Sequence, residues 1–230
     1  MLLSRMENGR PEIFATVQGE GISAGVPAVF VRLADCNLRC TWCDTKYTWD
    51  WKRYDKKAGT IELSLEELRA AIHEAAGPRI STVVFTGGEP LLQQDELAEL
   101  AATIGHRIEV ETNGTILPNA ALAARVEQWN VSPKLASSGN GERARLKPDI
   151  LAWFAARPDA QIKVVVASED DVAEVRALGL PTEKVVLTPE GTDAVTLSER
   201  SRWLAGQCTT HGYRMGTRLH VFVWGAERGR

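Results

Sequence analysis

The chain has 230 residues and a formal net charge of −3, with 44% apolar and 25% charged residues. This composition is typical of a globular α/β protein, and the charge gives no sign of affinity for nucleic acid or membrane surfaces. No apolar run approaches the roughly 18 residues that span a bilayer, and the opening MLLSRMENGR is too short and polar for a secretion signal. We therefore expect a cytoplasmic protein whose thiols stay reduced.

Apolar, β-branched segments alternate with helical patterns along the chain. PAVFVRLADC is predicted to be a strand, and the helix SLEELRAAIHEAAG follows it, with Ser64 as N-cap and Glu67 completing a capping box. STVVFTGGEP is predicted to be a strand that breaks into a Gly-Gly turn, and LLQQDELAELAATIG a helix. The later elements are predicted to be strand RIEVETNG, a helix near 119–127, strand WNVSPK, a helix near 148–157, strand QIKVVVAS, a helix over 169–178, strand KVVLTP, helix LSERSRWLAGQC and a final strand RLHVFVWG.

This alternation gives about seven β-units, most of them joined by helices, which predicts a mostly parallel sheet with helices outside it. No linker or low-complexity tract divides the chain, so residues 1–230 are expected to form one domain. Residues 46–60 are the one long irregular stretch. Because this stretch contains Trp49, Trp51 and Tyr54, we expect a packed flap, at an interface or over the protein itself.

The chemically unusual residues follow the predicted strands. They lie in the cysteine loop and in TGGEP, ETNG, SPK and TPEG. In a parallel βα arrangement the carboxyl ends of the strands open on one face, where the loops build the active site. Glu111 and Asn113 are therefore expected at this mouth. Lys163 lies in the middle of a predicted strand, where burying it unpaired would be costly, and we expect it to point inward as a functional residue instead of snorkelling to the surface.

Three of the four cysteines, Cys36, Cys40 and Cys43, lie within CNLRCTWCDT, and this spacing indicates a bound ligand. Four thiolates close a zinc site or fill every iron corner of a cubane cluster, whereas three leave one iron open to a small molecule. Cys208 lies in an apolar helix and is expected to pack in the core. A zinc site that takes its fourth ligand from elsewhere and a disulfide with one free thiol are the alternatives.

CNLRCTWC resembles the cluster loop of radical S-adenosylmethionine (SAM) enzymes, and GGEP resembles their Gly-Gly-Glu loop. The resemblance implies a [4Fe-4S] cluster whose open iron binds SAM, and a radical SAM core that is an incomplete TIM-like βα barrel. One electron from the cluster then cleaves SAM to a 5′-deoxyadenosyl radical, which abstracts hydrogen, so no protein side chain is assigned as catalytic. Glycine at the turn also lets backbone approach a ligand closely.

A narrower resemblance is carried by EIFATVQGEG followed by PAVFVRLADCNLRCTWCDT, and it continues through VVFTGGEPLLQ, IEVETNG, VSPK, IKVVV and LHVFVWG. These segments are similar to the 7-carboxy-7-deazaguanine synthase family of the queuosine pathway. The resemblance implies a lyase that contracts 6-carboxy-5,6,7,8-tetrahydropterin to 7-carboxy-7-deazaguanine with loss of ammonia, using Mg²⁺. It also implies a homodimer and an electron donor such as flavodoxin or ferredoxin, with neither nucleic acid nor membrane as partner.

The resemblance implies a set of site residues as well. The implied substrate-binding residues are Val17, Gln18, Gly19, Glu20, Arg32, Thr86, His220 on the final strand, and Arg230 through the terminal carboxylate. The implied SAM-binding residues are Trp42, Asp44, Gly88, Glu89, Ser132, Pro133, Lys134, Thr188, Pro189, Glu190 and Gly191. Thr45 is implied as a magnesium ligand, and the planar donor fork of Arg32 suits a substrate carboxylate.

Two other readings of the same residues stay open. A glycyl-radical-activating protein shares the cluster loop, but TVQGEG and Arg32 favour a small anionic pterin over a protein substrate. A non-catalytic binding module would use the cysteines only for structure.

Overall fold

The computed structural model describes residues 1–230. Ten strands form one sheet, and the chain of neighbours runs β10-β9-β8-β7-β6-β5-β3-β1-β4, with β2 also paired to β3. The strands are β1 (Leu2–Ser4), β2 (Ile13–Val17), β3 (Pro27–Leu33), β4 (Thr60–Glu62), β5 (Thr82–Gly87), β6 (Arg107–Thr112), β7 (Gln128–Val131), β8 (Ala160–Val166), β9 (Val185–Pro189) and β10 (Arg214–Met215).

Helices lie between most of the parallel strands. They are α1 (Lys56–Gly59), α2 (Leu65–Ala76), α3 (Gln94–Ala101), α4 (Ala120–Ala123), α5 (Glu142–Arg145), α6 (Pro148–Ala155), α7 (Glu169–Ala177), α8 (Ala194–His211) and α9 (Leu219–Trp224). None of them combines the length and the apolar character that crossing a bilayer requires.

The predicted α/β architecture is confirmed. From β3 through β5 to β10 every pairing is parallel, whereas β1, β2 and β4 pair in antiparallel fashion at the other end. The sheet stays open, as an incomplete barrel requires. The capping box of α2 is present, with Ser64 and Glu67 bonded to each other's backbone N–H groups. The helix expected near 119–127 is only one turn, α4.

The two faces of the sheet have different chemistry because strand side chains alternate. On β3 and β5, Val29, Val31 and Phe85 join the large core under the helices, while Arg32 and Thr86 face the other way. Cys208 of α8 is buried in this same core, which confirms its predicted packing role. The other, concave face carries the polar side chains of the cavity together with a small apolar cluster of Ala28, Phe30 and Val84.

The prediction of a final strand at RLHVFVWG is wrong. The chain pairs with β9 only over the two residues of β10 and then forms α9. The N–H of Leu219 donates to the carbonyl of Gly19 at 2.8 Å, so the segment packs over the loop after β2 instead of extending the sheet. A short apolar run is compatible with either a strand or a helix, and this tertiary contact decides for the helix.

The irregular stretch 46–60 is packed, as its aromatic residues predicted. Trp49 is buried, and the indole N–H of Trp51 donates to a carboxylate oxygen of Asp35 at 2.7 Å. Tyr54 is exposed, so the expectation is met by two of the three rings.

The carboxyl ends of β3 and β5 approach each other very closely at a pair of glycines. Gly87 has a φ of +129°, and a Cβ there would lie 2.1 Å from the carbonyl oxygen of Leu33. A Cβ on Gly88 would lie 1.9 Å from the carbonyl oxygen of Asp35. Only glycine fits such backbone contacts, and they fix the GGEP loop beside the cysteine loop.

We predict that Gly88→Ala lowers the free energy of unfolding by about 1–3 kcal/mol, because the new methyl group meets backbone that cannot rotate away. Urea denaturation followed by circular dichroism measures this change. The matched control is Gly206→Ala in α8, where a Cβ meets open space. The control should stabilise the protein by about 0.5–1 kcal/mol. Equal stability of the two variants would contradict the close approach.

Candidate active site

One cavity at the carboxyl ends of the strands collects most of the residues implied by the sequence. Its lining includes Val17, Gln18, Gly19, Glu20, Arg32, Cys36, Cys40, Trp42, Cys43, Asp44, Thr45, Thr86, Gly88, Ser132, Lys134, Glu190, His220 and Arg230. Glu111 and Asn113 lie there too, as their strand-end positions predicted. Five implied residues do not line it: Glu89, Pro133, Thr188, Pro189 and Gly191.

Glu89 lies behind the cavity wall. It is fully buried, and its carboxylate accepts hydrogen bonds from Thr112 Oγ1 at 2.8 Å, the Asn113 N–H at 2.7 Å and the Leu91 N–H at 3.0 Å. Burial raises the pKa of Glu89 even though these donors act in the opposite direction. In this arrangement the carboxylate fixes the loop after β6 instead of facing the cavity.

The loop after β9 contributes less to the cavity than the sequence implied. Thr188 and Pro189 are buried in the strand, and only Glu190 lines the space. Gly191 acts through its backbone, since its carbonyl accepts a hydrogen bond from Arg218 Nη1 at 2.5 Å.

Each of the three thiols in the cluster loop receives an N–H donor. The donors are the backbone of Leu38 to Cys36 at 3.5 Å, Asn140 Nδ2 to Cys40 at 3.3 Å and Trp49 Nε1 to Cys43 at 3.3 Å. The four cysteines are free thiols, and the chain has no group of three His, Cys, Asp or Glu side chains placed to hold a single metal ion. N–H groups aimed at sulfur are the contacts that iron–sulfur clusters use, so these residues fit such a cluster.

Burial opposes ionisation of two of these thiols, Cys36 and Cys40. It raises the pKa of Cys36 to about 12 and also raises that of Cys40. Lys134 acts in the opposite direction on Cys40 and lies with its Nζ 5.5 Å from the centre of the Trp42 ring. Deprotonated thiolates at these positions therefore require a bound cation to offset the cost of burial.

Arg32 is held on the cavity wall by a buried carboxylate that the sequence did not reveal. Its Nε donates to Glu12 Oε1 at 2.8 Å, and the same carboxylate accepts from Tyr47 Oη at 3.1 Å and Arg228 Nε at 2.9 Å. Burial acts to raise the pKa of Glu12, but Arg32 and Arg228 together hold it below its ordinary value. Neither Nη of Arg32 bonds to a protein atom, so both remain available to a ligand.

A second charged network joins three loops of the site. Glu20 pairs with Lys163 and accepts from Arg218 Nε at 2.8 Å, while Arg218 Nη2 donates to Asp44 at 2.5 Å. Burial opposes ionisation of Glu20, but Lys163 and Arg218 hold its pKa well below the ordinary range. Lys163 points inward as predicted, and Arg218 was missed because its segment was assigned to a strand.

Polar groups from two strands, β5 and β8, and from the loop after β2 surround the carboxylate of Glu111. Thr86 Oγ1 donates to Glu111 Oε2 at 2.7 Å, Gln18 Nε2 donates to Oε1 at 3.3 Å, and Lys163 Nζ lies 3.9 Å from Oε1. This carboxylate lines the same cavity as the guanidinium of Arg32, with Thr86 between their two strands.

His220 reaches the cavity from α9 and not from the predicted final strand. It packs against Gly19, where a Cβ would lie 2.0 Å from His220 Nδ1. Burial lowers the pKa of His220, which favours the neutral imidazole. Arg230 lines the cavity from the end of the chain while its Nε bonds to Glu227 at 2.9 Å.

Thr45 lies beside the cluster loop. Its Oγ1 is 3.5 Å from Cys43 Sγ, and the residue lines the cavity. A hard oxygen donor is thus placed directly next to one of the three sulfurs.

The geometry of three thiols at the mouth of an open parallel sheet defines a radical SAM enzyme, and residues 31–132 match the radical SAM superfamily. Two curated relatives are 7-carboxy-7-deazaguanine synthases. The one from Pyrobaculum aerophilum is 40% identical, covering 95% of this chain and 96% of its own, and the one from Hyperthermus butylicus is 39% identical, covering 92% and 91%. The crystal structure of QueE from Escherichia coli superposes with a TM-score of 0.68 at 28% identity, covering 96% of this chain and 95% of that one.

The chain belongs to the 7-carboxy-7-deazaguanine synthase family. This membership decides against both the glycyl-radical-activating protein and the non-catalytic module. A [4Fe-4S] cluster, SAM and Mg²⁺ are accordingly its cofactors.

We predict that Cys36→Ala, Cys40→Ala and Cys43→Ala each abolish cluster binding. With one thiolate removed, two of the four irons have no protein ligand, and two thiolates do not hold the cluster. Iron and sulfide analysis of anaerobically reconstituted protein measures the cluster. Cys208→Ala is the control and should bind a full complement of iron, since Cys208 lies in the core under the sheet. A cluster retained in any of the three loop variants would remove that cysteine from the ligand set.

Proposed function

We propose that the cavity performs the radical ring contraction of 6-carboxy-5,6,7,8-tetrahydropterin to 7-carboxy-7-deazaguanine, with release of ammonia. The observation that carries the assignment is that one cavity contains the three thiols of the cysteine loop, the guanidinium of Arg32 with both Nη groups unbonded, and the carboxylate of Glu111 held in place by a hydrogen bond from Thr86. The substrate offers the complementary groups, namely a carboxylate at one end and a row of N–H donors at the other.

Arg32 is the proposed partner of the substrate carboxylate. Glu12 occupies only Nε, so the two Nη groups present parallel donors to a planar anion. Because Glu12 also pairs with Arg228 and accepts a hydrogen bond from Tyr47, the guanidinium of Arg32 stays in one orientation without losing its capacity for a second anion. Substrate affinity then depends on a preorganised side chain instead of a mobile one.

Glu111 is the proposed acceptor for the amino-pyrimidine edge of the pterin. Thr86 and Gln18 each donate to one of its oxygens, which fixes the carboxylate plane. Val17 and Gly19 line the same region, and Gly19 leaves room for His220, whose neutral imidazole can both donate and accept.

Cys36, Cys40 and Cys43 are the proposed ligands of the cluster, which supplies the electron that cleaves SAM. The proposed SAM surface consists of Trp42, Asp44, Gly88, Ser132, Lys134 and Glu190, which line the cavity. Of the remaining residues implied for SAM, we propose that Glu89 and Gly191 act indirectly: Glu89 positions Asn113, and Gly191 anchors Arg218.

We propose Thr45 as a protein ligand of Mg²⁺. Its hydroxyl lines the cavity, and Mg²⁺ commonly combines one or two protein oxygens with water and substrate oxygens. The rest of the coordination sphere would then come from the bound substrate.

Several properties of the protein outside the cavity belong to the same proposal. We propose that residues 1–230 act as one cytoplasmic domain, that two copies form a homodimer, and that flavodoxin or ferredoxin supplies the electron. Arg230 would contribute to the substrate pocket, since this residue lines the cavity.

The decisive test is anaerobic incubation of the reconstituted protein with the carboxypterin, SAM, Mg²⁺ and dithionite, with the product followed by its deazaguanine absorbance. Arg32→Gln should raise KM for the carboxypterin by roughly 10–100-fold, the loss expected for one charge-assisted contact. The matched control Arg125→Gln changes an exposed arginine without an ion pair and should leave KM unchanged. No product from wild-type protein with an intact cluster would refute the assignment.

Thr45→Ala should weaken the activation by Mg²⁺ while the iron content stays constant, because the substitution removes an oxygen ligand but no thiolate. Titration of activity with Mg²⁺ gives the concentration for half-activation, which we expect to rise by about tenfold or more. Thr41→Ala, in the same loop but outside the cavity lining, is the control. An identical Mg²⁺ response in the two variants would exclude Thr45 as a ligand.

A further inference from the structure

One arginine, Arg228, anchors the last residues of the chain. Its Nη2 donates to Ser4 Oγ and to the carbonyl of Arg5, both at 2.8 Å. Its guanidinium carbon lies 3.8 Å from the centre of the Tyr47 ring, and 26% of the Arg228 side chain is exposed. Contacts from β1, from the loop after it and from the irregular stretch 46–60 therefore hold a residue close to the end of the chain.

The same arginine shares the carboxylate of Glu12 with Arg32. Arg228 donates to Oε2 through Nε at 2.9 Å and through Nη2 at 2.6 Å, whereas Arg32 Nε donates to Oε1 at 2.8 Å. Each oxygen of one carboxylate thus holds one guanidinium. Because Glu12 is fully buried, its plane cannot turn without breaking one of these charge-assisted hydrogen bonds.

Loss of Arg228 would change what Glu12 demands of Arg32. A buried carboxylate that loses one of two cations is left with charge that the remaining cation has to offset. The guanidinium of Arg32 can meet this demand by pairing with both oxygens, through an Nη as well as through Nε. Such a pairing would occupy a donor that is unbonded in the structure, and it would turn the guanidinium toward Glu12.

We propose that Arg228 is a positioning residue that acts through Glu12 to keep the Nη groups of Arg32 directed at the substrate carboxylate. The inference rests on the proposed function, in which those two groups bind the carboxypterin. Neither Arg228 nor Glu12 lines the cavity, so the effect reaches the substrate only through Arg32. Arg228 supplies the second positive charge that lets Glu12 hold Arg32 by Nε alone.

A purely structural anchor is the alternative role for Arg228. Arg230 lines the cavity from the same end of the chain, and Arg228 fixes the backbone that leads to it. An anchor of this kind would act whether or not residue 32 is an arginine. A positioning residue for Arg32, in contrast, has no effect on substrate binding once the guanidinium of Arg32 has been removed.

The test measures kcat and KM for the carboxypterin in anaerobically reconstituted protein, with SAM and Mg²⁺ saturating. Arg228→Gln should raise KM about tenfold, the loss of roughly one charge-assisted contact, while kcat and the iron content stay at wild-type values. Arg228→Lys returns the positive charge without the planar donor fork and should give an intermediate KM. Arg214→Gln, which changes an exposed arginine of β10, is the control and should match wild type.

A double-mutant cycle separates the two roles. In protein that already carries Arg32→Gln, adding Arg228→Gln should leave KM where the first substitution put it. An equal increase in KM in both backgrounds, or an unchanged KM for Arg228→Gln alone, would overturn the proposal. Absence of product from wild-type protein refutes the synthase assignment, whereas product formed with equal KM by wild type and Arg228→Gln refutes only the role of Arg228.

Discussion

Two backbone contacts between the ends of β3 and β5 hold the site together. The N–H of Gly88 donates to the carbonyl of Leu33, and the N–H of Glu89 donates to the carbonyl of Asp35, at 3.0 and 2.8 Å. Asp35 is the one non-glycine residue with positive φ, at 69°, and its carboxylate is held by Trp51 from the flap. The direction in which the cysteine loop leaves β3 therefore depends on a glycine pair on one side and on the packed flap on the other.

The concave face is built from ionised groups whose partners come from distant parts of the chain. Leaving one buried charge unpaired would cost several kcal/mol, so removal of either partner destabilises more than the pair itself contributes. Glu12 and Glu20 each pair with two cations, and in the first network both Nη groups of Arg32 keep their donor capacity. The charges that stabilise the fold are thus the same ones that can select an anionic substrate.

Much of the fold and of the site could be predicted from the sequence, because both are carried by local patterns. The parallel strands follow from β-branched runs separated by helical periodicity, and the cluster loop follows from three cysteines placed directly after a strand. The terminal apolar run was assigned wrongly, since its pattern does not distinguish a strand from a helix and a contact to Gly19 decides. Glu12 and Arg228 are 216 positions apart, and no local pattern predicts that they meet. Glu89 lies behind the wall for a similar reason, because its partners Thr112 and Asn113 belong to another strand end.

The sheet is not closed into a barrel: β10 lies at one end of the strand order, and β2 and β4 lie at the other. Across the open interior, Arg218 before α9 and Lys163 in β8 both reach Glu20 in the loop after β2, and Arg218 also reaches Asp44 beside Cys43. These ionic contacts are separate from the strand pairings. The loop that carries Cys43 is therefore tied by charged side chains to the loop after β2 and to the segment before α9.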